Sequence, residues 1–165
     1  MIYYYNYKSP IGGLLIAKNQ NGVIKIAINQ KVVQFLMEVE ILTRDRAKES
    51  YNEIKDVINE MDLYFNKELE NFLIKVDLIK LSEFQRDVLN FLQMIPYGIT
   101  MSYKVVAMLI GKPEAARAVG QVCRRNPVPI IIPCHRVIKN DGELGGYTGS
   151  LKAKKYLLKL EGNLV

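Results

Sequence analysis

The sequence predicts an α+β chain built from two dissimilar parts. Residues 2–28 alternate apolar or aromatic runs with turns rich in Gly, Pro and Asn, the pattern of an antiparallel meander. From Glu49 onward, apolar residues return every three or four positions, the period of an amphipathic helix. The charge balance changes with the pattern. Residues 1–81 carry 11 basic and 11 acidic side chains, whereas residues 82–165 carry 12 and 6, so the whole net charge of +6 lies in the second part. The boundary falls after residue 78: residues 1–78 form a sheet-and-helix domain, residues 79–165 a mainly helical one.

In the first part, Ile2–Tyr7 is tyrosine-rich and reads as a strand. Ser9-Pro10-Ile11-Gly12-Gly13 is a turn and Leu14–Ala17 a second strand. Asn19-Gln20-Asn21-Gly22 is a hairpin signal leading to a third strand, Val23–Ile28. No Lys-Ser/Thr follows Gly12-Gly13, so a phosphate loop is excluded there. Residues 31–48 fit a helix or a strand. Ile54, Val57, Ile58, Met61, Tyr64 and Phe65 line one face of a helix of about four turns. Phe72–Val76 reads as a further strand and Asp77–Leu81 as a linker. The scattered acids of this part form a solvated face rather than a catalytic group.

The second part opens on a capping box, Ser82 with Gln85. Phe84, Val88, Leu89, Phe91, Leu92 and Ile95 make the buried stripe of the helix it starts, and Pro96 stops that helix. After the Tyr97-Gly98 turn, Thr100 or Ser102 caps a short helix carrying Val105, Val106 and Leu109. Gly111 closes it, and Pro113 belongs to the first turn of the next helix, which runs to about Arg125. Two short helices joined by a Gly-containing turn are a helix-turn-helix. In the second of them Ala115, Ala118, Val119 and Val122 face inward, and Cys123 is a core position. Arg117, Gln121 and Arg124 face out, and Ala116 and Gly120 present almost no side chain. A mid-helix Gly costs about 1 kcal/mol relative to Ala. Either a neighbouring helix or an external groove must come close.

Asn126-Pro127-Val128-Pro129-Ile130-Ile131-Ile132-Pro133-Cys134-His135-Arg136-Val137 is the stretch with chemistry in it. Its three prolines remove donors and favour extended neighbours, which predicts a stiff buried rod ending at Cys134. A lone cysteine is most often a buried structural residue. Here the chain's only histidine and an arginine follow it directly, as a base and a positive field for a thiolate. Asn140-Asp141-Gly142 then turns, Gly145-Gly146-Tyr147-Thr148-Gly149 forms a loop, and a last helix spans about Leu151–Leu160. Its lysines suit the helix C-terminus, but Glu161 opposes the dipole there and so points to a distant partner.

Pro133-Cys134-His135-Arg136-Val137 after Asn126-Pro127-Val128-Pro129 resembles the active-site signature of the O6-alkylguanine-DNA alkyltransferases, also called methylated-DNA–protein-cysteine methyltransferases. Ile95-Pro96-Tyr97-Gly98, Ser102-Tyr103 and Ala115-Ala116-Arg117-Ala118-Val119-Gly120 extend the resemblance from about Phe84 to Glu161. It implies an N-terminal RNase H-like antiparallel sheet with a helix and a C-terminal winged helix-turn-helix. The implied activity is irreversible, one-turnover transfer of the alkyl group of O6-alkylguanine, and of O4-alkylthymine, to the protein's own cysteine after base flipping. The implied roles follow residue by residue. Cys134 accepts the alkyl group; His135 activates it through a water and is oriented by Glu161. Tyr103 donates a proton to guanine N3, and Asn126 is a hinge. Arg117 fills the gap left by the flipped base, beside Ala116, Gly120, Gln121 and Arg124 on the DNA-binding helix. Val137 and Cys134 offer carbonyls to the base edge; Tyr147 and Thr148 line the pocket, with Thr148 where other members often carry Ser. The implied partner is double-stranded DNA containing O6-alkylguanine, bound by a monomer without a cofactor.

Other classes stand beside this one. A Cys-His hydrolase needs an oxyanion hole that nothing marks, an alkyltransferase-like binding module lacks the cysteine, and a plain winged-helix regulator leaves Cys-His-Glu unexplained. Two cysteines and one histidine cannot make a four-ligand structural zinc site. No apolar run reaches the ~18 residues of a membrane span, and the first residues lack a signal-peptide pattern. The expectation is a cytoplasmic protein with both thiols free and no membrane or metal partner.

Overall fold

The computed structural model describes all residues, Met1 to Val165, which divide into two compact units, Met1–Lys80 and Leu81–Val165. The first unit begins with strands β1 (Ile2–Ser9), β2 (Gly12–Asn19) and β3 (Gly22–Ile28). Helix α1 (Val32–Thr43), strand β4 (Ala47–Glu49) and helix α2 (Tyr51–Phe65) follow. The strand order is β3-β2-β1-β4. The meander is antiparallel as expected, but β4 runs parallel to β1, so the sheet is mixed.

Strand alternation sorts the core into two layers. Leu15 and Ala17 of β2 join Ile2, Ile24, Phe35 and Val39 in one cluster, beneath α1. Leu14 and Ile16 point the other way, toward α2, whose Asp62 accepts a 2.6 Å hydrogen bond from the Tyr7 hydroxyl. The undecided segment 31–48 is therefore a helix followed by a short strand. Its helix buries only Phe35 and Val39, four apart, which is too narrow a stripe for periodicity to choose between the two. Phe72–Val76 is not a strand. Only Val76 bridges Val23, and the backbone of Leu73 and Ile74 donates instead to the Glu60 carboxylate.

The second unit contains α3 (Glu83–Leu92), β5 (Met101–Ser102), α4 (Tyr103–Leu109), α5 (Ala116–Arg124), a 3-10 turn (Cys134–Arg136), β6 (Val137–Ile138) and α6 (Leu151–Leu160). The Ser82–Gln85 capping box closes in both directions. Ser102, not Thr100, caps α4, accepting from the Val105 amide. Helix α4 buries Val106 and Ala107 while Val105 and Leu109 lie exposed, so its inward face is rotated from the expected one. Pro113 sits in the turn before α5 rather than in its first helical turn. The buried face of α5 is Val119, Val122 and Cys123; Ala118 is exposed and Ala115 half-buried. The wing is minimal: β5 and β6 pair in parallel over two residues each. No helix is long and apolar enough to cross a membrane.

Candidate active site

The segment from Asn126 to Val137 is buried almost throughout, but it is not a rod. It doubles back at Ile130, whose φ is +78°, while the Ile132 amide donates to the Val128 carbonyl and Pro129 bridges Ile132. A β-branched residue in the left-handed region costs on the order of 1–3 kcal/mol and needs support. Asn126 gives it. Its Nδ2 donates to the Ile132 carbonyl at 2.9 Å and to Cys134 Sγ at 3.1 Å, and its Oδ1 accepts from the Val128 amide at 3.0 Å. One buried amide thus fixes the loop and aims the sulfur.

Cys134 is 2% exposed. Burial pushes its thiol above the ordinary value, and the Asn126 amide, the Lys154 charge and the Thr148 hydroxyl offset this only in part. The Thr148 hydroxyl also reaches the carbonyls of Cys123 and Arg124, which anchors the loop to the end of α5.

Next to the thiol lies a buried charge network. His135 Nε2 is 2.7 Å from Glu161 Oε1. Arg136 holds the same carboxylate with Nε at 2.9 Å and Nη2 at 3.0 Å, and its Nη1 donates to the Ile95 carbonyl at 2.5 Å. Burial raises the Glu161 carboxyl, yet His135 and Arg136 outweigh it and hold it at about 2. Burial lowers His135 below its ordinary value, so near neutrality it is a neutral imidazole beside a carboxylate. A carboxylate only accepts, so Nε2 carries the proton and Nδ1 is the basic nitrogen. Arg136 therefore serves Glu161 rather than the sulfur. The cation that acts on Cys134 is Lys154, one of the α6 lysines for which the sequence shows no role beyond suiting the helix C-terminus.

A surface cavity opens beside this core, lined by Tyr103, Arg117, Gly120, Gln121, Arg124 and Lys139 with the Gly145-Gly146 backbone. Tyr103 is the aromatic residue among them. Burial, then the nearby thiols, raise its phenol to about 12.

Comparison with known proteins gives this arrangement its family. Residues 2–78 match the ribonuclease-like domain, and residues 83–163 the DNA-binding domain, of 6-O-methylguanine DNA methyltransferase. The chain belongs to the methylated-DNA–protein-cysteine methyltransferases. A relative of that name from Methanosarcina acetivorans is 40% identical over 163 residues, 98% of this chain and 99% of its own. One from Mycolicibacterium paratuberculosis is 42% identical over 161 residues, 98% and 93%. The crystal structure of Mycobacterium tuberculosis OGT in complex with DNA superposes with a TM-score of 0.85 at 35% identity, covering 96% of this chain and 92% of that one.

Within this methyltransferase the residues singled out in the sequence fall into two groups. Cys134, Asn126, His135 and Glu161 are brought together in the buried interior. Tyr103, Arg117, Gly120, Gln121 and Arg124 share the cavity, which Ala116 does not line. Tyr147 belongs with the buried group. Its ring meets His135 edge-on at 6.4 Å and its buried hydroxyl makes no hydrogen bond. The carbonyl of Val137 accepts from Lys154 at 2.6 Å and that of Cys134 from the Val137 amide. Lys154 is the residue the sequence reading missed. A signal was present: 154, 157, 158 and 161 follow the i, i+3, i+4, i+7 spacing of one buried face.

Proposed function

We propose that this protein repairs DNA by taking the alkyl group of O6-alkylguanine, and of O4-alkylthymine, onto Cys134, once per molecule. The observation that carries the reading is a buried thiol whose ionisation burial opposes but an amide, an ammonium and a hydroxyl assist, beside a neutral histidine with its own carboxylate. His135 takes the thiol proton through a water, and Glu161 stabilises the imidazolium that results. The thiolate attacks the alkyl carbon in line with the C–O6 bond. The C–S bond forms, the C–O6 bond breaks, and the electron pair stays on guanine. Tyr103, protonated up to about 12, gives guanine N3 its proton. The product is a thioether that water does not cleave, so the protein is consumed.

A thiol this deep cannot reach O6 in a paired base, so the nucleotide must leave the stack. Arg117 is exposed on α5 and long enough to fill the space left behind. Gly120 supports close approach of that helix: a Cβ there would meet only the Tyr103 ring, at 3.8 Å, so the chain's own packing does not require glycine. The basic balance of the second half favours a polyanion. The protein acts as a monomer in the cytoplasm, without a cofactor, and its domains divide near residue 78.

The mass of the protein after exposure to duplex DNA containing O6-methylguanine tests this. One methyl group should appear, on the Cys134 peptide, and none on Cys134→Ser. A methyl on Cys123, or release of more than one equivalent of repaired base, would refute it. Arg117→Ala should slow repair of duplex DNA far more than reaction with free O6-benzylguanine, which needs no flipping.

A further inference from the structure

Helix α6 carries four lysines, of which Lys152, Lys155 and Lys159 are exposed and Lys154 is fully buried. Lysine is almost never buried unless paired, and no carboxylate accompanies this one. Its ammonium instead donates to the carbonyls of Val137 at 2.6 Å, Gly146 at 3.3 Å and Leu144, and lies 5.8 Å from the centre of the Tyr103 ring. Three hydrogen bonds use all three of its protons. The carbonyls belong to β6 and to the loop that leads into Tyr147 and Thr148, so one side chain of α6 pins that loop.

The ionisable groups around the ammonium come from each element packed against it. They are Cys134 and His135 of the 3-10 turn, Cys123 of α5, and Tyr103 of α4. None is an anion in the resting protein. A buried cation with no resident counter-charge is costly, and the group poised to provide one is the Cys134 thiolate.

We propose that Lys154 is a positioning residue for alkyl transfer, whose buried ammonium pins the 144–146 backbone of the loop that carries Thr148 and is the counter-charge of the reacting thiolate. The inference rests on the alkyl-transfer reading. It adds a consequence: once the sulfur is alkylated it can never be an anion, and Lys154 loses its partner for good. Burial already lowers Lys154 to about 8, with the two thiols opposing when ionised. In the used protein that opposition can never arise, so above its own midpoint nothing keeps the ammonium charged and its hold on the loop is lost.

NMR titration of protein labelled at cysteine Cβ and lysine Nζ tests this without any DNA, so its outcome is separate from that of the repair assay. In Lys154→Met, Cys134 should ionise about one pH unit or more higher than in the wild type, a tenfold loss of thiolate at a given pH. Lys154→Arg should recover part of the shift. An unchanged Cys134 midpoint in a folded Lys154→Met protein would leave Lys154 a purely structural tether and overturn the proposal. Should the Met variant not fold, the wild type still decides. Across the pH range in which Cys134 ionises, the Lys154 Nζ signal should follow it, and a Lys154 signal that ignores Cys134 ionisation overturns the proposal.

Discussion

The two units bury their interiors by different rules. The first packs apolar side chains on both faces of its sheet and leaves its ion pairs, such as Lys25–Glu38 and Arg46–Glu40, at the surface. The second contains all five buried polar or charged side chains: Asn126, His135, Arg136, Lys154 and Glu161. Buried charge is a poor route to stability, because desolvation can exceed the Coulombic gain. Four ionisable residues buried in the unit that carries the reactive thiol are better explained by chemistry than by folding. The first unit shows what the same chain does when only a core is needed.

That contrast can be broken most forcefully at its ion pairs. Arg136→Leu strips the Glu161 carboxylate of its bidentate partner inside the protein and should cost about 3–5 kcal/mol. Lys25→Met removes a surface partner of Glu38 and should cost roughly 0–1 kcal/mol. Urea titrations of both variants against wild type measure the two. Equal costs would mean that the network of the second unit is no more strongly coupled than a surface pair.

Legibility in the sequence followed locality in both units. The meander, α2, the Ser82 capping box and α6 could be read because each rests on local turn chemistry or a clear period. Phe72–Val76 could not: its composition is strand-like, but Glu60, twelve residues before it, takes the amides a strand would need. At the site, Cys134, His135 and Glu161 were visible as residue types out of place, most clearly Glu161 against the helix dipole. The tasks of Arg136 and Lys154 were not. Each is a cation whose neighbours in sequence say nothing of the partner, 25 residues away for Arg136 and 8 to 17 away for Lys154. The predicted rod failed for a related reason. Prolines restrict φ at their own positions and favour extension before them, but Ile130 lies between them, and Asn126 decides its conformation.

A smaller effect tests whether the second unit tolerates its own reaction. Cys134 is tightly enclosed, and an added methyl group overpacks its surroundings, which typically costs ~1–3 kcal/mol. The Asn126 amide that bonds the sulfur also holds Ile132 and Val128 and follows α5 directly, so the strain has a path to the helix of Arg117. Melting curves and DNA titrations on matched fresh and alkylated samples should show lower melting and weaker binding, more so for benzyl than for methyl. Identical curves for both adducts would uncouple the pocket from α5.

The smallest expected effect separates a glycine the fold requires from one it does not. In the first unit, Gly22 has φ +152° and a Cβ there would lie 2.4 Å from the Lys75 carbonyl oxygen, so Gly22→Ala must disturb the sheet edge. Gly120 sits inside α5 with ordinary helical φ, and its added Cβ would make normal contact with the Tyr103 ring at 3.8 Å. Replacing a mid-helix glycine by alanine is worth about 1 kcal/mol when nothing clashes, which for a chain of this size raises the melting point by roughly 2–4 °C. Gly120→Ala should therefore make the protein more stable. It should also bind duplex DNA several-fold more weakly, because the methyl group stands where the helix has to approach its partner. Thermal melts and fluorescence titrations with one undamaged duplex measure both on the same sample. Higher stability with undiminished DNA binding would remove close approach as the reason for glycine at this position, and lower stability would return that reason to the packing of α4 against α5.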